Sequence, residues 1–109
     1  MLKANFDMVI NTLGYPGQHE SAVTGVVTLI PKLTLQSLGR AARAEEALVN
    51  AYGVDSMQIH LMATSLPAAP QKFDIFTVSG QRLIAQGVMA KREETSGDII
   101  GYQVYVKGD

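Results

Sequence analysis

The sequence predicts a mainly β domain with one helix (α+β), a small antiparallel β-barrel with elements in the order β-β-α-β-β-β-β. Three observations carry that expectation. Four short apolar runs follow one another closely in the second half of the chain, which favours an antiparallel sheet that curls or closes on itself. A single stretch, about 34–52, has helical spacing and helix-forming composition. The length, 109 residues, fits a single domain, 1–109, with the helix inserted between strands.

The elements follow in order. Phe6 to Thr12 is apolar, with Phe6, Met8 and Ile10 on one side of a period-two pattern, and predicts a strand. Gly14-Tyr15-Pro16-Gly17 predicts a turn, because proline presets φ and glycine permits positive φ. Ser21 to Ile30 is rich in Val and Thr and predicts a second strand that Pro31 ends. Its faces, Val23, Val27 and Leu29 against Ala22, Val26 and Ile30, are both apolar, which predicts cover on both sides. Gly25 marks a bulge or a close backbone approach. In the helical stretch, Thr34 is the expected N-cap, Gly53 the expected C′ residue, and Leu35, Leu38, Ala42, Val49 and Tyr52 the expected buried stripe.

Met57 to Ala63 alternates, with Met57, Ile59, Leu61 and Ala63 on the inner face and Gln58, His60 and Met62 opposite. Ser65 to Lys72 holds two prolines and reads as a stiffened crossing loop. Phe73 to Val78 and Arg82 to Ala90 predict a hairpin about Ser79-Gly80. Lys91 to Asp98 predicts a charged loop, and Ile99 to Val106 a last strand with Tyr102, Val104 and Val106 on one side.

Composition narrows the function classes. There is no cysteine, which excludes thiolate metal sites and cysteine nucleophiles and suits a reducing compartment. Charged residues are 17%, below the roughly 25% usual for globular domains. Such a neutral surface hints at cover by partners. The net charge of −1 supplies no global basic field to attract nucleic acid. No segment reaches the roughly 20 apolar residues of a membrane helix. With Asp7 inside its first apolar stretch, the amino terminus does not read as a signal peptide, so the expected compartment is the cytosol, with no membrane partner.

Candidate chemistry is thin. His19 and His60 have no companion at metal-ligand spacing, so neither is read as a ligand. Glu45-Glu46 and Glu93-Glu94 read as solvated pairs; adjacent helical residues diverge by about 100 degrees, so the first pair does not readily share a proton. No serine sits in a nucleophile elbow, and there is no dinucleotide or Walker loop. Pro16 lacks the N–H a phosphate cradle needs. Arg40 and Arg43, three apart on the expected helix, share a face. Tyr102 and Tyr105 do not interleave with basic residues as a single-strand-binding surface would. The expectation is a protein that is not an enzyme and takes no cofactor or metal.

Three stretches carry a resemblance: "AVTGVVTLIPK" (22–32), "MQIHLMATSLPAAPQKFD" (57–74) and "FDIFTVSGQRLIAQGV" (73–88), followed by a closing "GDIIGYQVYVKG" (97–108). The first is similar to a strand of the type V-x-A-x-V-x-P. The third is similar to a meander built on D-x-h-x-x-x-G-x-x-h-x-h-x-G-V, where h is apolar. In pattern and order the chain resembles the head-completion proteins of tailed bacteriophages, the head–tail adaptor or stopper subunits of the neck. That resemblance implies a structural virion protein, made in the host cytoplasm and resident in the neck. Copies would form a ring, of twelve or six, between portal and tail. The ring would extend or close the DNA channel and dock the tail, with packaged DNA passing without sequence reading. By analogy, Lys91, Arg92, Glu93, Glu94 and Lys107, together with Arg40 and Arg43, are the expected subunit, portal or tail contacts. The loop 91–98 and the termini 1–5 and 107–109 are expected to order on assembly. The alternatives are a tail-completion or tail-terminator ring subunit, or a small β-barrel module that binds peptide or nucleic acid.

Overall fold

The computed structural model describes residues 2–37 and 57–108. A helix, α1 (Lys3–Leu13), precedes the strands β1 (Tyr15–Glu20), β2 (Val27–Ser37), β3 (Met57–Met62), β4 (Ile75–Val78), β5 (Gln81–Arg92) and β6 (Ile99–Gly108). A short 3₁₀ turn, Ala63–Ser65, follows β3. The strands close into a barrel in the order β1-β2-β3-β6-β5-β4, every neighbour antiparallel. Among the described residues the chain is therefore a mainly β antiparallel barrel with one helix, the fold class that its sequence predicts. β4, β5 and β6 form a meander, and β6 turns back onto β3. The segment from Ala63 to Asp74, with Pro67 and Pro70, crosses from β3 to the far side of β1, where β4 closes the barrel.

Alternation explains the interior. Ile59 and Leu61 of β3, Tyr102, Val104 and Val106 of β6, Phe76 and Val78 of β4, and Leu83 and Ala85 of β5 form one buried cluster with Ile30, Leu33 and Leu66. Met57 and Ala63 pack against it, so the inner face expected from the alternation in 57–63 is the inner face observed. Ser79 (φ 52) and Gly80 (φ 78) make a two-residue turn with positive φ at both positions, the twist a tight hairpin needs, and Val78 pairs with Gln81. A bulge between Ala85 and Gly87 shifts β5 by one residue. It changes the inward series from Leu83 and Ala85 to Val88, which keeps a long strand facing the core.

Several expected boundaries are overturned. Phe6 to Thr12 lies in a helix. Phe6 and Ile10, spaced by four, share a helical face and are buried, whereas Met8 between them is exposed. A short apolar window satisfies both periods, and packing decides. Tyr15-Pro16-Gly17 opens β1 and is no free turn; the register shifts between Tyr15 and Gly17, and a bulge is where a strand tolerates proline. Pro31 sits opposite that same irregularity, so β2 runs through it to Ser37. Ala22 to Thr24 is turn, with Val23 78% exposed, and β2 is not covered on both faces, since Leu29 is 76% exposed. Gly25 (φ 73) serves that turn.

Thr34 is no N-cap, since it pairs with His60 within β2. The rest of the expected helix, including Arg40 and Arg43, lies outside the described residues. Phe73 and Asp74 precede β4, and Lys91 and Arg92 belong to β5. β6 runs two residues beyond Val106, to Gly108.

Helix α1 lies on the outside of the barrel, over β2, β3 and β6. Phe6 and Ile10 pack with Ile100 and Met62 in a second, smaller cluster. Gly101 makes this approach possible. A Cβ there would run into the Phe6 ring and lie 2.6 Å from the Leu61 carbonyl oxygen.

Candidate assembly surfaces

The charged residues expected at contacts fall in two places. Lys91 and Arg92 end β5, opposite Gly101 and Ile99, beside the turn 93–98. Lys107 is exposed near the other end of β6, paired with Ile84. The eight residue steps from Ile99 to Lys107 span roughly 26 Å at about 3.3 Å each. The structure thus brings Lys91, Arg92, Glu93 and Glu94 together and leaves Lys107 apart.

The turn is tied within the chain. Glu93 N–H donates to the Asp98 carbonyl at 2.8 Å, and Gly97 N–H to the Glu93 carbonyl at 2.8 Å. Arg92 Nη1 donates to the Gly97 carbonyl at 2.9 Å, and Ser96 Oγ to Glu93 Oε1 at 2.8 Å. Glu93 Oε2 accepts the backbone N–H of Lys3 at 3.0 Å. Lys3 opens α1, whose own N-cap residue, Leu2, supplies no side-chain bond. A carboxylate from the β5–β6 turn therefore satisfies an orphan N–H at the positive end of the helix. The Lys3 N–H and then the Ser96 hydroxyl hold the Glu93 carboxyl below its usual range. A loop expected to order only on assembly is already stitched to the helix.

Two apolar surfaces stand out, and neither was singled out from the sequence. The first is concave. Between α1 and the barrel runs a groove of about 440 Å³, lined by Phe6, Val9, Ile10, Leu13, Tyr15, Thr34, Leu35, Gln36, His60 and Lys91. Burial, and then the nearby Lys91 ammonium, push the His60 imidazole down to about 4, so it is neutral near pH 7. Among the described residues, Lys91 is then the one charged side chain in the groove lining.

The second surface is the exposed tip of the β1–β2 hairpin. The link from β1 to β2 is a firm turn. Ser21 N–H donates to the Val26 carbonyl at 3.0 Å and Gly25 N–H to the Ser21 carbonyl at 2.9 Å. Ser21 Oγ accepts from the N–H groups of Val23 and Thr24, both at 3.2 Å. This holds Val23, Val26, Val27 and Leu29 out in solvent.

A buried ionic cluster anchors the hairpin. Asp74 accepts from Ala22 N–H at 2.9 Å, from Gln71 N–H at 2.9 Å and from His19 Nε2 at 2.7 Å. Burial alone would raise the Asp74 carboxyl; the two backbone donors and His19 outweigh it and hold the group below its usual range. His19 lies in β1, buried against Phe76, with Nδ1 lacking a partner among the described residues. The sequence places His19 in a turn and gives no sign of a partner 55 residues away.

A His–Asp pair is half of a nucleophile-activating constellation. Ser21 Oγ, two residues along from His19, is already an acceptor for the turn. Asp74 instead joins the β1–β2 hairpin to the crossing segment. A cavity of about 330 Å³ opens above it, lined by Val23, Val26, Pro67, Ala68 and Ala69 among others. Among the described residues no three His, Asp or Glu side chains converge on a metal-sized site.

No protein-family model matches the chain, and no curated protein matches it significantly.

Proposed function

We propose that this protein is a structural subunit of a tailed-phage neck, forming a ring between portal and tail that extends or closes the DNA channel and docks the tail. The observation that carries the proposal is a closed barrel with two distinct apolar surfaces on its outside: the hairpin Val23–Leu29 and the groove beside α1. Closure through β1 and β4 leaves little sheet edge through which copies would add as strands. Assembly would then use side-chain surfaces, and a ring needs two different ones on each copy. The likeness of residues 22–32, 57–88 and 97–108 to head-completion proteins supplies the place in the virion.

Disruption of the gene in the phage tests this directly. DNA-filled heads that leak, accumulating beside free tails of normal length, are the expected product. A normal yield of particles contradicts the proposal, and tails of abnormal length point to a tail-terminator subunit instead.

One observation favours a second function, a binding module: Tyr15, His60 and Lys91 share the same groove. Affinity for a single-stranded oligonucleotide or a peptide, abolished by Lys91→Ala and for nucleic acid falling steeply with salt, would identify it.

A further inference from the structure

We propose that the β1–β2 hairpin of one copy seats in the α1 groove of the next, joining copies head to tail; this rests on the assembly function proposed above. Exposure and charge point the same way. The hairpin is apolar, with Val23 78%, Val26 58%, Val27 49% and Leu29 76% exposed on a turn fixed by its own hydrogen bonds. The groove is concave and apolar, about 440 Å³ in volume. Residues 21–29 carry no charge, and Glu20 stands at the hairpin's base. Lys91 is the counterpart in the groove. Neither Glu20 nor Lys91 has an ion-pair partner among the described residues. Hairpin against hairpin would set Glu20 against Glu20, and groove against groove Lys91 against Lys91. Only hairpin into groove joins opposite charges.

The contact is therefore heterologous, the kind that closes rings. It is also between copies: Leu29 and Leu35 are six residues apart on β2, roughly 20 Å, beyond the reach of the hairpin's own side chains.

The chain has no cysteine, so introduced thiols report cleanly. Val23→Cys and Leu13→Cys change exposed side chains at the hairpin tip and groove rim. Mixed and oxidised at high concentration, the two single variants are expected to form the Val23–Leu13 mixed disulfide in preference to either homodimer, and the double variant a ladder of covalent oligomers. Glu20→Lys should reduce cross-linking several-fold, and adding Lys91→Glu should restore it. Preferred homodimers, or a mixed product no stronger than that of Val23→Cys with Ser79→Cys, overturn the proposal, as does failure of the charge swap to rescue.

Sedimentation of the parent protein separates the two levels. Rings without the mixed disulfide mean that another surface joins the copies. A parent that stays monomeric at all concentrations, together with no mixed disulfide between the two cysteine variants, removes the ring as well. A groove shielded from thiol reagents in the monomer, with no mixed disulfide, means that it is filled from within the same chain and overturns the contact.

Discussion

Gly101→Ala tests how the helix is held on the barrel. A Cβ at this position meets the buried Phe6 ring and lies 2.6 Å from the Leu61 carbonyl oxygen. Ordinary contact is about 3.5–4.0 Å. The ring can turn a little, but the Leu61 carbonyl belongs to β3, within hydrogen-bonding reach of β6, and cannot move freely. If α1 stays docked, the strain is that of overpacking, about 1–3 kcal/mol. If α1 lifts instead, Phe6 and Ile10, now 3% and 1% exposed, lose their burial, at about 1.5–3 kcal/mol each. The expected loss is therefore about 1–3 kcal/mol by urea unfolding, the cheaper response, overpacking, setting the value. The two responses differ in the slope: a lifted helix exposes apolar surface in the native state and lowers m. Phe6→Leu should recover part of the loss in a double-mutant cycle, because it removes the ring and leaves the carbonyl contact. Gly101→Ala within 0.5 kcal/mol of the parent, with unchanged m, refutes the close approach.

Other expected outcomes follow from the buried polar groups and the backbone. Asp74→Ala strips three donors of their acceptor and should cost about 3–5 kcal/mol by chemical denaturation, loosening the β1–β2 hairpin first in hydrogen exchange. Because the folded Asp74 carboxyl sits below its usual range, its contribution is present above about pH 4 and fades as pH falls further, and Asp74→Asn should flatten that limb. His60 acts at higher pH. Its imidazole falls from 6.5 unfolded to about 4 folded, so the unfolded chain takes up the proton first and stability declines as pH drops from 6.5 towards 4. After discounting for partial exposure, the loss between pH 7 and 5 is about 1 kcal/mol, and His60→Gln should abolish it. Phe73 is exposed at φ 76, a strained value for an aromatic residue, so Phe73→Gly should stabilise the fold by up to about 1 kcal/mol in thermal unfolding. No gain there would mean that its contact with the Lys72 ammonium offsets the strain.

The barrel was legible where one physical rule governed a stretch. In 57–63, alternation alone names the inner residues Ile59 and Leu61, and in 99–106 it names Tyr102, Val104 and Val106. Ser79-Gly80 is legible because few residue pairs suit positive φ twice. Legibility ended where two rules compete. Phe6 and Ile10 fit both a period of two and a spacing of four, and only the space opened by Gly101, some 90 residues on, selects the helix. Pro16 and Pro31 read as punctuation, yet facing one bulge they sit inside paired strands. The candidate surfaces were harder still. Val23 and Leu29 look like core residues in sequence; Leu29 is exposed because β2 has only one face on the barrel interior, and Val23 because it lies in the turn before β2. Asp74 and His19 meet through barrel closure, and Glu93 caps α1 through a turn far along the chain; such long-range pairings leave no local pattern.

Negative-stain microscopy of tailed-phage portal rings, with and without this protein, tests the central claim of the proposed function most directly. A closed ring of added density on the tail-facing side of the portal, lost with Glu20→Lys, is the predicted result. Portals that stay bare at saturating protein, while a labelled single-stranded oligonucleotide or peptide binds the monomer, would contradict it.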